Sequence, residues 1–247
     1  TCREVGSGQN YAPRNAERDR QICRRERDDV HDRGKREKAR IVDLYAHDRN
    51  KEQDIQKIVD EKFLEDKFGE VKYLAKAEEL FADCGTELEK IKAAFTFVRD
   101  VIPHSGDIQS HKITHTASEA LAEGEGVCYV KSMLLAALLR SQGIQTGLCY
   151  QRLARANDHI IHALNAVYLS DMQKWVRVDA RGNLPGKEAE FYIDTPDAEQ
   201  LVFTVRPELD EVDYPTIYAQ PPVVTTKVLE ENTDCAEVLK CKLPAQL

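Results

Sequence analysis

Three residues have the types and spacing for acyl-transfer chemistry. Cys128 stands in "GEGVCYVKSMLLAALLRSQGI", His162 in "HALNAVYL", 34 residues on, and Asp179 closes "WVRVD", 17 residues further. A thiolate is the reactive form of cysteine, and a helix N-terminus favours it through unsatisfied N–H groups and partial positive charge. A nucleophile of this kind needs a base, and the base needs an orienting group. An aspartate accepting from one ring nitrogen of a histidine fixes the tautomer and turns the other nitrogen toward the thiol. Each residue alone has a commonplace structural explanation: packed cysteine, bonded strand histidine, turn-capping aspartate. The combination in this order carries the functional reading.

The elements around them must supply the geometry. Gly124 and Gly126 permit a tight approach and leave room for a substrate backbone. The Cys128 N–H can donate to an oxyanion. Val127, Val130, Met133, Leu134, Ala137 and Leu138 recur at three and four, an apolar helix pattern expected to be buried and to hold Cys128 rigid. Gly143 is its expected left-handed terminator, with Arg140 against the dipole. Before it, "NKEQDIQKIVDEKFLEDKFG" predicts an Asn50-capped helix ending at Gly69, and further helices are expected over 71–84 and from Thr86 to Pro103. Thr86 and Glu89 have capping-box spacing. Thr116 or Ser118 is expected to cap a short helix.

Three strand-like runs follow, Ile144–Leu153, His159–Leu169 and Lys174–Ala180, with "AEFYI", "QLVFTV" and "DYPTIYA" as further edge candidates. Helices first and an antiparallel sheet second predict an α+β fold. A hairpin turning near Ser170–Met172 sets His162 opposite Asp179, Leu164 opposite Arg177 and Ala166 opposite Trp175, all on one face. A one-residue slip would separate the histidine from the carboxylate. His159 is a rival base, on the opposite side of the strand.

The stretch from Glu119 to Asn183 resembles the transglutaminase-like superfamily, a papain-like group of Cys-His-Asp enzymes. The resemblance rests on Gly126-Val127-Cys128 at a helix start, Arg140 to Ile144 at its end, His162 opening a strand, and Trp175 to Asp179 closing another. It extends over about Tyr73–Glu230 and departs at Leu164, where many members have an aromatic residue. It implies a papain-like or transglutaminase-core fold, with the nucleophile helix packed on the sheet. It implies a catalytic Cys128, His162 and Asp179, an acyl-thioester on Cys128 and no cofactor. A peptide or protein substrate follows, with hydrolysis, as in bacterial-type cysteine proteases of this group, favoured over transamidation. The alternative is a catalytically silent domain that binds a peptide or protein. Gly126, Gln109 and His104 are candidates for the oxyanion pocket or cleft.

Composition bounds the rest. The 247 residues carry a net charge of −8, so general nucleic-acid affinity is not expected. Residues 1–40 carry net +4 and few large apolar residues, and residues 1–65 are read as a charged extension, helical or disordered, suited to a protein partner. Residues 66–247 are read as the catalytic domain. No run suits a membrane span, and "TCREVGSGQN" has no apolar leader core. A start without Met suggests processing or truncation. Seven scattered cysteines without a CxxC pair suggest a reducing compartment, so a cytoplasmic location is expected, with Cys235 and Cys241 as solvated free thiols. His111 and His115 have a metal-like spacing but no HExxH, and no metal is expected.

Overall fold

The computed structural model describes residues 72–156 and 158–247. The extension 1–65 and the helix expected over 50–69 lie outside the described residues. Helix α1 spans Lys72–Phe81, α2 Glu87–Asp100, α3 Ala117–Glu123 and α4 Cys128–Arg140. Strands β1 (Thr146–Arg155), β2 (Asp158–Leu169) and β3 (Lys174–Val178) follow, then β4 (Val212–Asp213), α5 (Val223–Glu230) and α6 (Cys235–Glu237). The sheet is antiparallel, in the order β3-β2-β1-β4. The class is therefore α+β, helices first. Of the expected edge strands, "AEFYI" and "QLVFTV" meet only at an isolated Glu190–Gln200 bridge, and "DYPTIYA" reaches the sheet through Tyr218 and Leu148. Three prolines break up the stretch from 207 to 221 and remove ladder donors.

Every residue of α4 is buried, as expected of the helix that holds Cys128. It packs on β1 and β2 on one side and on α1, α2 and α3 on the others. A helix enclosed all round reads as apolar all round, which fits "MLLAALL" better than a stripe does. Asn165 pins α4 to the sheet, its Nδ2 donating to the Ser132 carbonyl at 2.9 Å and the Gly147 carbonyl at 3.2 Å. Gly143 ends the helix at φ +73°, with Ile144 N–H bonded back to the Leu139 carbonyl. Arg140 is buried and donates through Nε to the Thr146 carbonyl at 2.7 Å.

The β2–β3 register differs from expectation by two residues. Ala166 pairs with Arg177 and Tyr168 with Trp175, because the connection is a four-residue loop, 170–173, with Gln173 at φ +51°. A two-residue shift keeps every side chain on its face, whereas a one-residue shift would have inverted them. Ile161, Ala163 and Val167 thus face the main core with α4. Leu164, Ala166 and Trp175 share the other face with Cys149, Ile217 and Leu201. His162 has the parity of this second face.

Candidate active site

Cys128 is the first residue of α4, and its entry differs from those of neighbouring helices. The N-cap is Val127, which has no side chain to cap with. Among the described residues, the N–H groups of Cys128, Tyr129 and Val130 have no acceptor, and the first intrahelical bond is Lys131 N–H to the Val127 carbonyl. Those free donors make the helix end an anion-favouring position.

The glycines before Cys128 have structural tasks. Gly124 terminates α3 at φ +69°. Gly126 donates its N–H to the Pro103 carbonyl at 3.2 Å and accepts from Ser105 N–H at 3.1 Å. A Cβ at Gly126 would lie 2.5 Å from Val130 Cγ2. Its own donor is therefore committed, and Gly126 offers no oxyanion contact.

His162 and Asp179 meet diagonally across the β2–β3 pair. His162 Nε2 lies 2.9 Å from Asp179 Oδ2, both side chains buried. The other Asp179 oxygen accepts from Arg181 N–H at 3.1 Å. The Cys128 thiol lies beside the same imidazole, and with Nε2 occupied by Asp179, Nδ1 is the nitrogen left for sulfur. Burial opposes a charge on His162, but the Asp179 charge and hydrogen bond and the contact with Cys128 outweigh it and raise its pKa to about 10. Tyr129 fixes the approach of helix to strand: its hydroxyl donates to the Ile161 carbonyl at 2.9 Å, one residue before His162. Phe203 packs edge-on against the His162 ring, centroids 5.0 Å apart.

His104 is brought to the same place. Its residue pairs with Gly126 in a parallel bridge, and the ring is buried. Burial first, then the charges of Arg181, Lys131 and His162, hold its pKa well below the ordinary value. The Gly106 N–H donates to His104 Nδ1 at 3.1 Å, so the neutral ring carries its proton on Nε2. Gln109, by contrast, is exposed at φ +55°, and among the described residues no hydrogen bond ties it to Cys128, His162 or Asp179. His159 Nε2 lies 3.0 Å from the Leu209 carbonyl and takes no part. His111 pairs with Asp234 and His115 with Glu119, so the two do not share a ligand position. Cys235 and Cys241 form no disulfide among the described residues and are buried, not solvated.

Sequence reasoning missed Lys131. It lies one helical turn after Cys128, fully buried, with Nζ donating to the Ile102 carbonyl. Burial, reinforced by Arg181 and opposed by Asp107, Asp179 and Cys128, lowers its pKa to about 7. Arg181, also missed, clamps Asp107 through two bonds of 2.8 and 2.7 Å. Lys131 and Arg181 thus join α4, the His104 loop and the Asp179 loop. A lysine inside an unbroken apolar run was the available signal for the first. The second followed Asp179 too closely to be told from an ordinary surface charge.

No curated protein matches the chain in sequence. Among solved structures, the chain is similar to a "Putative Cysteine Protease from Cytophaga hutchinsonii", at 23% identity and a TM-score of 0.40, covering 50% of this chain and 44% of that one. It is also similar to a "putative protease from Parabacteroides distasonis", at 12% identity and a TM-score of 0.37, covering 61% and 31%. The chain thus spans less than half the length of either. The family model described as the transglutaminase-like superfamily matches residues 74–180, which include Cys128, His162 and Asp179. Over residues 74–180 the chain is similar to that superfamily.

Proposed function

We propose that residues 66–247 are a thiol-dependent enzyme acting on amide bonds of a peptide or protein, with Cys128 as nucleophile, His162 as base and Asp179 as its orienting group. The observation that carries this reading is the His162 ring, bonded to Asp179 at 2.9 Å through one nitrogen, with Cys128 at the buried start of α4 beside it. His162 takes the thiol proton, and the sulfur attacks the carbonyl carbon. The oxyanion receives the free Cys128 N–H and, in this reading, the His104 Nε2–H, whose tautomer Gly106 sets. The imidazolium returns its proton to the leaving amine, leaving an acyl-thioester. Water then attacks, with His162 again as base, and the acid is released. Hydrolysis is preferred over transamidation on the resemblance alone.

Residues 1–65 are read as a separate charged extension for a protein partner, in a cytoplasmic protein. Among the described residues no helix is long and apolar enough to cross a membrane. The five cysteines among them form no disulfide with one another, in keeping with a reducing compartment.

A panel of fluorogenic peptide amides, with and without an amine acceptor, tests the reaction. Turnover that Cys128→Ala lowers by about 10⁴-fold or more is expected. Turnover that survives Cys128→Ala would overturn the nucleophile, and product appearing only with the amine would replace hydrolysis by transamidation.

A further inference from the structure

A groove of about 900 Å³ opens on the His162 side of the sheet. One wall is the β1–β2 hairpin, through Leu153, Arg155 and Ile160, and the other is the chain from Leu201 to Thr204. Leu153 pairs with Ile160, and both share the parity of His162, so groove and histidine lie on the same face. Phe203 lines the groove and packs on the His162 ring at 5.0 Å, so the groove ends at the proposed catalytic pair.

We propose that this groove binds the substrate as an extended peptide that carries an acidic side chain beside Phe203. The proposal rests on the catalytic reading above for its position. Two features define the occupant. First, among the described residues the main-chain N–H groups of Val202 and Thr204 donate to no acceptor, although Val202 is buried. An irregular segment with free main-chain groups along a groove is a template for an added strand. Second, the ionic groups of the wall leave one cation over. Arg206 is bound by Glu211, whose carboxylate takes Arg206 Nε and Nη2 at 3.1 and 2.6 Å and also the Ala154 N–H. Arg155 donates to the Leu239 and Lys240 carbonyls. Lys187 lies over the Phe203 ring, 4.8 Å from its centroid, and among the described residues no carboxylate pairs with it. With Glu188 the only other acid on the wall, the lining carries an excess of one positive charge. Leu153, Ile160 and Val202 give the same groove an apolar floor. An Asp or Glu side chain in the peptide supplies the missing partner of Lys187.

The test is binding, so that it does not depend on turnover. Two fluorescein-labelled octapeptides share one apolar frame, one with two Glu and the other with two Lys at the same positions. Their anisotropy is measured with the full chain carrying Cys128→Ala, which cannot acylate, at low and at physiological salt. The Glu peptide is expected to bind about fivefold more tightly at low salt, and Lys187→Glu is expected to remove or invert that preference. Equal affinities, no binding of either peptide, or a preference unchanged by Lys187→Glu would overturn the proposal. Selective alkylation of Cys128 is measured separately on the unmodified thiol. If it fails while the acidic preference holds, the catalytic reading falls and the groove stands. If it succeeds while the preference is absent, the groove falls alone.

Discussion

Helices α2 and α4 begin in opposite ways. At α2, Thr86 accepts from the Glu89 N–H at 3.2 Å, while the Glu89 carboxylate takes the Gly85 and Thr86 N–H groups at 2.8 and 2.9 Å. Those backbone bonds hold the Glu89 carboxyl below its usual range. At α4, Val127 caps nothing and, among the described residues, three N–H groups have no acceptor, although the helix start is buried. A buried helix end without partners is costly, so its persistence points to a use for the free donors. The stability lost at that end is offset by a helix enclosed on all sides. The comparison separates two designs: α2 ends its backbone in its own side chains, and α4 leaves it open at the proposed reaction site.

The largest test of that contrast asks whether the free helix end activates the thiol by itself. Asp179→Asn keeps the shape but removes the charge that raises the His162 pKa. Acylation by an activated peptide ester is expected to fall by roughly 10²–10⁴-fold. A loss under threefold would assign the activation to the helix end alone.

Gly126→Ala tests how tightly the α4 entry is built. The added methyl meets Val130 Cγ2 at 2.5 Å, and a loss of about 1–3 kcal/mol is expected in urea unfolding. Val130→Ala in the same chain should recover part of it, since it removes the opposing methyl. No coupling between the two substitutions would mean that the entry has slack.

The pH dependence of stability sharpens the contrast further. His162 has a raised pKa, about 10 against 6.5, so its contribution is fully present below pH 6.5 and is lost as pH rises to about 10. Lys131 has a lowered pKa, about 7 against 10.5, so burial penalises it in full below pH 7 and releases it as pH rises toward 10.5. Between pH 7 and 10 the two slopes oppose one another. Lys131→Met should therefore make stability fall more steeply over that window, by up to about 1.4 kcal/mol per pH unit relative to the parent, and His162→Gln should tilt the curve the other way. Parallel curves for parent and variants would show that neither group is held as described.

At α2 the expected effect is smaller and purely structural. Thr86→Ala should cost about 1 kcal/mol and leave the alkylation of Cys128 untouched. A change in thiol reactivity would mean that α2 communicates with the site.

Much of this site was legible because local signals and parity are properties of sequence. The Thr86–Glu89 box, Thr116 as a cap and Gly143 as a terminator each depend on a few adjacent residues. His162 and Asp179 share a face at any even register shift, so a register wrong by two still brought them together. What escaped depends on packing between distant segments. Gly126 was assigned to the substrate because its contact with Pro103 lies 23 residues away in sequence. The roles of Tyr129, Lys131, Phe203 and Arg181 rest on tertiary neighbours, and the His104 tautomer on a loop bond to Gly106.

The most direct test of the Cys128–His162 pair needs no substrate. Alkylation by iodoacetamide at pH 6, read for each cysteine by mass spectrometry, compares Cys128 with half-buried Cys84 in one molecule. An ordinary thiol, with a pKa near ~8.5, is almost unreactive there. The account predicts that Cys128 is modified first and selectively, and that His162→Gln abolishes the selectivity. Cys128 reacting no faster than Cys84 at pH 6, or equally fast without His162, would contradict it.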